Sequence, residues 1–148
     1  NNDILLSSLN GKVHLHNSGN YGEFYGTVTE AKLSLIVNPK SDYNKVLRFL
    51  EFNSIVRDNN KVIDRTKTIT AFRIQTQYQD TGKVLFSPDR FKRKFDKWRL
   101  KIPRNQSSSS QHDRLRSTYF IVTLYFDNTY NKELIMNHLL SYYDIQVF

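Results

Sequence analysis

The run Thr118–Phe126 (TYFIVTLYF) carries no charge and is apolar on both of the faces that a β-strand presents. A strand with one wet face alternates apolar and polar side chains, so this stretch is expected to lie centrally in a sheet, covered on both sides. A chain built around such a strand needs partner strands, and the surrounding sequence supplies them. β-branched and aromatic residues cluster in short runs bounded by Gly, Asn, Asp, Pro and Ser, the pattern of strands and turns. Lys12–Asn17 alternates, with Val13 and Leu15 on one face and His14 and His16 on the other. Glu23–Val37 holds two strand-like pieces, Phe24–Val28 and Lys32–Val37. Thr66–Tyr78 alternates most cleanly, setting Ile69, Ala71, Arg73 and Gln75 against Thr70, Phe72, Ile74 and Thr76. Asp80-Thr81-Gly82 signals a hairpin turn, and Val84–Phe86 returns from it. Turns are also expected at Asn17–Asn20, Asn38–Asp42, Asp58–Asn60 and Asp127–Thr129.

Three segments fit more than one period. In Lys45–Arg57 (KVLRFLEFNSIVR), Val46, Phe49, Leu50 and Asn53 fit a helical face. Leu50, Phe52 and Ile55 fit a strand with a bulge, and the strand is preferred. Ser87-Pro88-Asp89 is a helix-start signal, with a capping hydroxyl, Pro at the first position and an acid in the first turn. Phe91, Phe95 and Trp98 then share one helical face, while Trp98, Leu100 and Ile102 alternate as a strand. A short helix over Pro88–Lys97 running into a strand reconciles the two. In Lys132–Val147, Ile135, Leu139 and Tyr142 suit a helix, and Tyr143, Ile145 and Val147 suit a returning hairpin strand. Asn105–His112 (NQSSSSQH) reads as a polar, low-complexity loop.

These readings give a mostly β, sandwich-like antiparallel domain with one short helix. Residues 1–148 form a single β-rich domain, a length that suits one core. Ten Phe, nine Tyr and one Trp provide the apolar area to fill it. Its centre is expected to hold Phe72, Ile74, Trp98, Leu100, Phe120, Val122, Leu124 and Leu139. No apolar run approaches the roughly 18 residues of a spanning helix. The chain opens Asn1-Asn2-Asp3 without a methionine, which reads as a piece or a processed product of a longer polypeptide.

Net charge is +8, from 22 basic and 14 acidic residues. It is concentrated: Arg90, Lys92, Arg93, Lys94, Lys97, Arg99, Lys101 and Arg104 stand against the single acid Asp96. These eight cations are the candidate interaction residues. With Phe91, Phe95 and Trp98 between them they fit a phosphate-binding, base-stacking strip. They also fit a cationic face that is solvated or turned toward another polypeptide, with the rings packed in the core, and the shared face of the rings favours this second reading. Arg99 and Arg104 suit interface anchoring, because a guanidinium makes bidentate pairs.

Catalytic and cofactor chemistry find little support. The chain has no Cys, which excludes disulfides and thiolate metal sites. His14 and His16 share a strand face but lack the third and fourth ligands a metal needs, and His112 and His138 stand alone. The pairs Asp58 with Asp64 and Asp127 with Asp144 are read as carboxylates that cap turns. No Gly-rich phosphate loop and no Gly-x-Ser-x-Gly elbow is present. The chain is expected to be a non-enzyme without cofactor.

Three stretches together carry a resemblance: Leu50–Val56 (LEFNSIV), Phe91–Arg104 (FKRKFDKWRLKIPR) and Arg114–Tyr143 (RLRSTYFIVTLYFDNTYNKELIMNHLLSYY). In this order the chain resembles the C-terminal region of the tail muzzle (nozzle, or stabilisation) proteins of crAss-like bacteriophages. The resemblance covers about the last two-thirds of the chain. It implies a structural module of a short phage tail, part of a homo-oligomeric ring that closes the distal DNA exit channel. It also implies a virion location after synthesis in the bacterial host cytoplasm. The implied partners are other tail subunits and the N-terminal part of the same polypeptide, with transient contact to phage DNA. The alternative class is a single-strand or phosphate-backbone nucleic-acid-binding module of small-barrel type, with the cationic segment as its groove.

Overall fold

The computed structural model describes residues 4–16, 18–104 and 113–147. Asn17 of the first expected turn and the Asn105–His112 loop lie outside the described residues. The N-terminal third contains β1 (Leu6–Leu9), β2 (Lys12–Leu15), β3 (Glu23–Phe24), β4 (Thr27–Val28) and β5 (Ala31–Val37). The middle contains β6 (Lys45–Arg57), β7 (Ile63–Asp64), β8 (Ala71–Gln75) and β9 (Val84–Leu85). The rest contains β10 (Phe91–Lys94), β11 (Lys97–Lys101), β12 (Arg116–Ser117), β13 (Phe120–Phe126) and β14 (Glu133–Ile145). Every strand pair is antiparallel. Among the described residues there is no helix, and so none long and apolar enough to cross a membrane.

Two sheets face each other across one core. The smaller runs β5-β13-β8-β9. The larger is organised on β6, which pairs with β14 along its whole length. It also pairs with β12, β11 and β7 at successive heights, and β10 extends the sheet beyond β11. The inward residues of both sheets form one cluster: Leu50 and Phe52 from β6, Trp98 and Leu100 from β11, Phe72 and Ile74 from β8, and Phe120, Val122 and Leu124 from β13. Seven of the eight expected core residues are therefore buried, and Leu139 packs against their rim half-buried. Phe91 and Phe72 cross the sandwich edge to face, with centroids 5.7 Å apart.

β13 holds the central place its composition requires, between β5 and β8. Both of its faces are largely buried, but by different means. Phe120, Val122 and Leu124 enter the core. On the opposite face the ring of Tyr125 is covered by the cations of Lys83 and Lys32, at 4.4 and 5.8 Å from its centroid. The two ammonium groups stand over the ring where a second layer would otherwise lie.

Three expectations are corrected. The helix over Pro88–Lys97 is absent. The amides of Arg90 and Phe91 both donate to the Ser87 carbonyl at 3.0 Å, so the start signal yields one tight turn. The chain then forms the β10–β11 hairpin, in which Phe91 pairs with Leu100 and Lys94 with Lys97. A helix nucleus costs more than it returns over so few residues, whereas the hairpin buries Phe91, Trp98 and Leu100 together. Second, the last segment is a strand, but β13 and β14 do not form a hairpin. β14 crosses to the other sheet and pairs with β6. Third, the irregularity in β6 falls at Arg48, where Tyr142 pairs with Phe49 and Tyr143 with Leu47. The extra residue lets both Leu47 and Leu50 face the core. A second irregularity lies at Asn137 of β14, opposite the Asn53–Ser54 step.

The corner between β13 and β14 is organised by Asn128, which is buried and has φ near 53°. Its Oδ1 accepts from the Lys132 amide at 2.7 Å, and its Nδ2 donates to the Tyr21 carbonyl. Nearby, Lys132 donates to Asp64 at 2.8 Å and, with Thr66, holds that carboxyl down to about 2. The loop at Tyr21-Gly22 thus docks on the corner, and β1–β2 and β3–β4 lie beyond it as two small ribbons. Gly22 has φ +71°, and a methyl group there would run into the Asn128 amide. Gly22→Ala is therefore expected to destabilise the chain by about 1–3 kcal/mol, measured as a lower urea midpoint at unchanged m.

A cationic open face and its hairpin tip

Strand pairing sorts the candidate cations by parity. In the β10–β11 register Phe91, Trp98 and Leu100 point into the core. Lys92, Lys94, Lys97, Arg99 and Lys101 consequently share the opposite, outer face of the larger sheet. Arg93 has the inward parity but sits at the rim, where its guanidinium pairs with Asp96. Arg90 precedes the hairpin, and its carbonyl accepts from the Lys101 amide at 2.9 Å. Arg104 lies past Pro103 and lines a cavity of about 200 Å³ with Arg48, Lys101 and Arg114. Five of the eight cations thus form a single surface, and three stand at its margins.

That surface continues onto β6 and β14. Arg99 lies beside Glu51, which accepts from Arg99 Nη2 at 3.1 Å and from Lys97 Nζ at 3.3 Å. The Glu51 side chain is only 11% exposed. The Arg99 hydrogen bond holds its carboxyl below the usual range, outweighing the opposing effect of burial, and Lys97 adds to it. The guanidinium carbon of Arg99 also lies 4.3 Å from the centroid of Phe49, and Phe49 stacks on Tyr142 at 4.2 Å and 18°. Neighbouring strands therefore present a cation-ring-ring ladder on the open face. Sequence reasoning missed Glu51, Phe49 and Tyr142, because they reach Arg99 only through strand pairing.

The rings of the cationic segment part company. Phe91 and Trp98 are buried, whereas Phe95 is 86% exposed at the hairpin tip. Phe95 and Asp96 have φ of 48° and 59°, the left-handed geometry of a two-residue hairpin turn. The tip is pinned: Asn53 donates to the Asp96 carbonyl at 2.7 Å, and the Asp96 carboxylate pairs with Arg93 and, at 3.2 Å, with Arg65.

The remaining candidates are occupied structurally. His14 packs on Tyr25 at 4.8 Å, and His16 bonds Ser7 at 2.7 Å. Among the described residues no three His, Cys, Asp or Glu stand close enough to share a metal ion. Asp58 and Asp127 accept from backbone amides in their own turns, Asp64 does so with Thr66, and Asp144 pairs with Arg48.

The sequence model of the crassvirus muzzle protein C-terminal domain matches residues 19–105, more than half of the chain. The chain belongs to that family. The match contains β3 to β11, and with them the cationic hairpin and the whole of β6. The muzzle protein of Bacteroides phage crAss001 is 27% identical over 129 residues, which is 83% of this chain and 9% of that protein. The chain therefore spans less than a tenth of the length of the relative it matches.

The Glu51 cluster makes a pH-dependent prediction. A carboxyl whose folded pKa is depressed contributes stability above its unfolded pKa, and that contribution is lost as pH falls through the folded value. Glu51→Gln is expected to cost about 0.5–1.5 kcal/mol at neutral pH. The difference from the parent chain should shrink to nothing on acidification below the normal Glu range, followed by urea unfolding across a pH series.

Proposed function

We propose that the chain is a structural, non-catalytic module of a short phage tail, within the muzzle assembly that closes the distal DNA exit channel. In this reading copies of the chain stand in a homo-oligomeric ring in the virion, after synthesis in the host cytoplasm. The outer face bearing Lys92, Lys94, Lys97, Arg99 and Lys101 contacts neighbouring tail subunits or the N-terminal part of the same polypeptide. Arg90, Arg93 and Arg104 extend it at the margins.

Family membership supports the structural role. The observation that carries the choice of partner is the inward packing of Phe91 and Trp98. A strand-tracking nucleic-acid groove needs a series of open rings beside its cations. Here two of the three rings are spent on the core, and Phe49 is enclosed between Arg99 and Tyr142. What remains open combines Arg, Tyr and an apolar centre, including Leu140 at 43% exposure, with lysines around it. That is the anatomy of a protein–protein contact.

The test reverses Lys92, Lys94 and Lys101, which form no ion pair among the described residues. Lys92→Glu/Lys94→Glu/Lys101→Glu should keep its fold by circular dichroism and weaken assembly by about tenfold or more. Affinity of the parent chain for a single-stranded oligonucleotide should be weak throughout. The reading would be abandoned if a monomeric parent chain bound the oligonucleotide tightly and the reversal flattened a salt slope of about 0.7 per phosphate contact.

A further inference from the structure

At the end of β10–β11 away from the hairpin tip, the cationic face runs into a concave site. Four cations, Arg48, Lys101, Arg104 and Arg114, line the cavity of about 200 Å³ there. All four are exposed, whereas Leu47, Pro103 and Leu115 of the same lining are buried, so the cavity has a charged rim and an apolar floor. No acid is among its lining residues. Asp144 pairs with Arg48 from outside it, and Arg104 and the nearby Asp113 have partners of their own. Lys101 and Arg114 form no ion pair among the described residues, and theirs is the charge left over.

The cavity closes a track of unpaired cations. Lys92 has no ion-pair partner among the described residues, and Lys94 lies only over the Phe95 ring. Lys97 and Arg99 are both bonded to Glu51 and form the fixed bed of the track. Outward residues of a strand repeat about every 6.8 Å, and so do alternate side chains of an extended polypeptide laid along it. A second copy of this chain is a poor source of the matching acids. Glu30, Glu51, Asp64, Asp80, Glu133 and Asp144 each pair with a cation of their own chain, and Asp96 pairs with two. The apolar floor also speaks for a carboxylate on a hydrocarbon stem, which a phosphodiester lacks. In the crAss001 muzzle protein more than nine-tenths of the polypeptide lies outside the matched 9%, so chain to supply such a segment is plentiful there.

We infer that this face seats an extended acidic polypeptide segment from outside these 148 residues. Its alternate carboxylates meet Lys94, Lys92 and Lys101, and one glutamate side chain enters the cavity beside Arg114. Each contact is a charge-assisted hydrogen bond, and the floor covers the methylenes of the inserted glutamate. The inference rests on the protein-partner reading above and states the chemistry of that partner.

Fluorescence anisotropy of short labelled peptides with the full 148-residue chain tests it. A peptide with Glu at alternate positions should bind, and its Gln counterpart should bind about tenfold more weakly or worse. Replacing each Glu by Asp keeps the charge and withdraws one methylene from the floor, so affinity should fall about fourfold. Arg114→Gln should cost about two- to fivefold and erase the difference between Glu and Asp, while Lys12→Gln, exposed on β2, should change nothing. A Glu peptide no tighter than the Gln peptide, Glu and Asp peptides bound alike, or equal losses from Lys12→Gln and Arg114→Gln overturns the inference. If the Lys92/Lys94/Lys101 reversal weakens assembly and no acidic peptide binds, the protein-partner reading stands and the acidic segment alone is lost. A single-stranded oligonucleotide of equal charge that binds more tightly than the Glu peptide overturns both.

Discussion

Trp98 and Leu100 of β11 lie beside Phe52 and Leu50 of β6, and this short pairing decides where the charge of the domain goes. All four side chains are buried, three of them completely. Burying a large apolar side chain is worth about 1.5–3 kcal/mol, so the register is strongly specified. A slip by one residue would turn Arg99 and Lys101 into the core and Trp98 out to water. Lys97, Arg99 and Lys101 are on the open face because the alternative is an unpaired cation in an apolar interior. Charge display and core packing are two sides of one pairing.

The larger sheet depends on β6 in a second way. Its inner residues feed the core, and its outer residues Phe49 and Glu51 organise Arg99. Glu51 accepts from two cations while nearly buried itself, so the ladder on the open face is held in place rather than free in solvent. The bulge at Arg48 resets the inward phase for Leu47 and puts Arg48 on the surface against Asp144. One strand thereby serves as core wall, sheet axis and base of the cationic face.

Much of the strand pattern was legible from local features. The doubly apolar run of β13, the alternation of β8 and the Asp80–Gly82 turn each contain their own signal. Gly82 takes φ +65°, and Asp80 accepts from its amide at 2.8 Å. The helix over Pro88–Lys97 misled for a definable reason. A spacing of four and then three residues places Phe91, Phe95 and Trp98 on one helical face. A hairpin with a two-residue turn brings the first and last of them to the same sheet face and throws the middle one to the tip. Periodicity counts residues and cannot see a reversal of the chain.

By itself the sequence determined the β class, most of the buried residues, the segment that carries the charge, and a family resemblance in the order of three stretches. These depend on side-chain type and on spacing within a few residues, where pleat and turn chemistry act locally. Tertiary structure alone decided that β14 joins β6 instead of β13, that Glu51, Phe49 and Tyr142 meet Arg99, and that Asn53 and Arg65 pin the Phe95-Asp96 tip. Each of these brings together residues tens of positions apart. Such meetings are settled by which long-range pairing buries the most apolar surface, a competition that no short window of sequence contains.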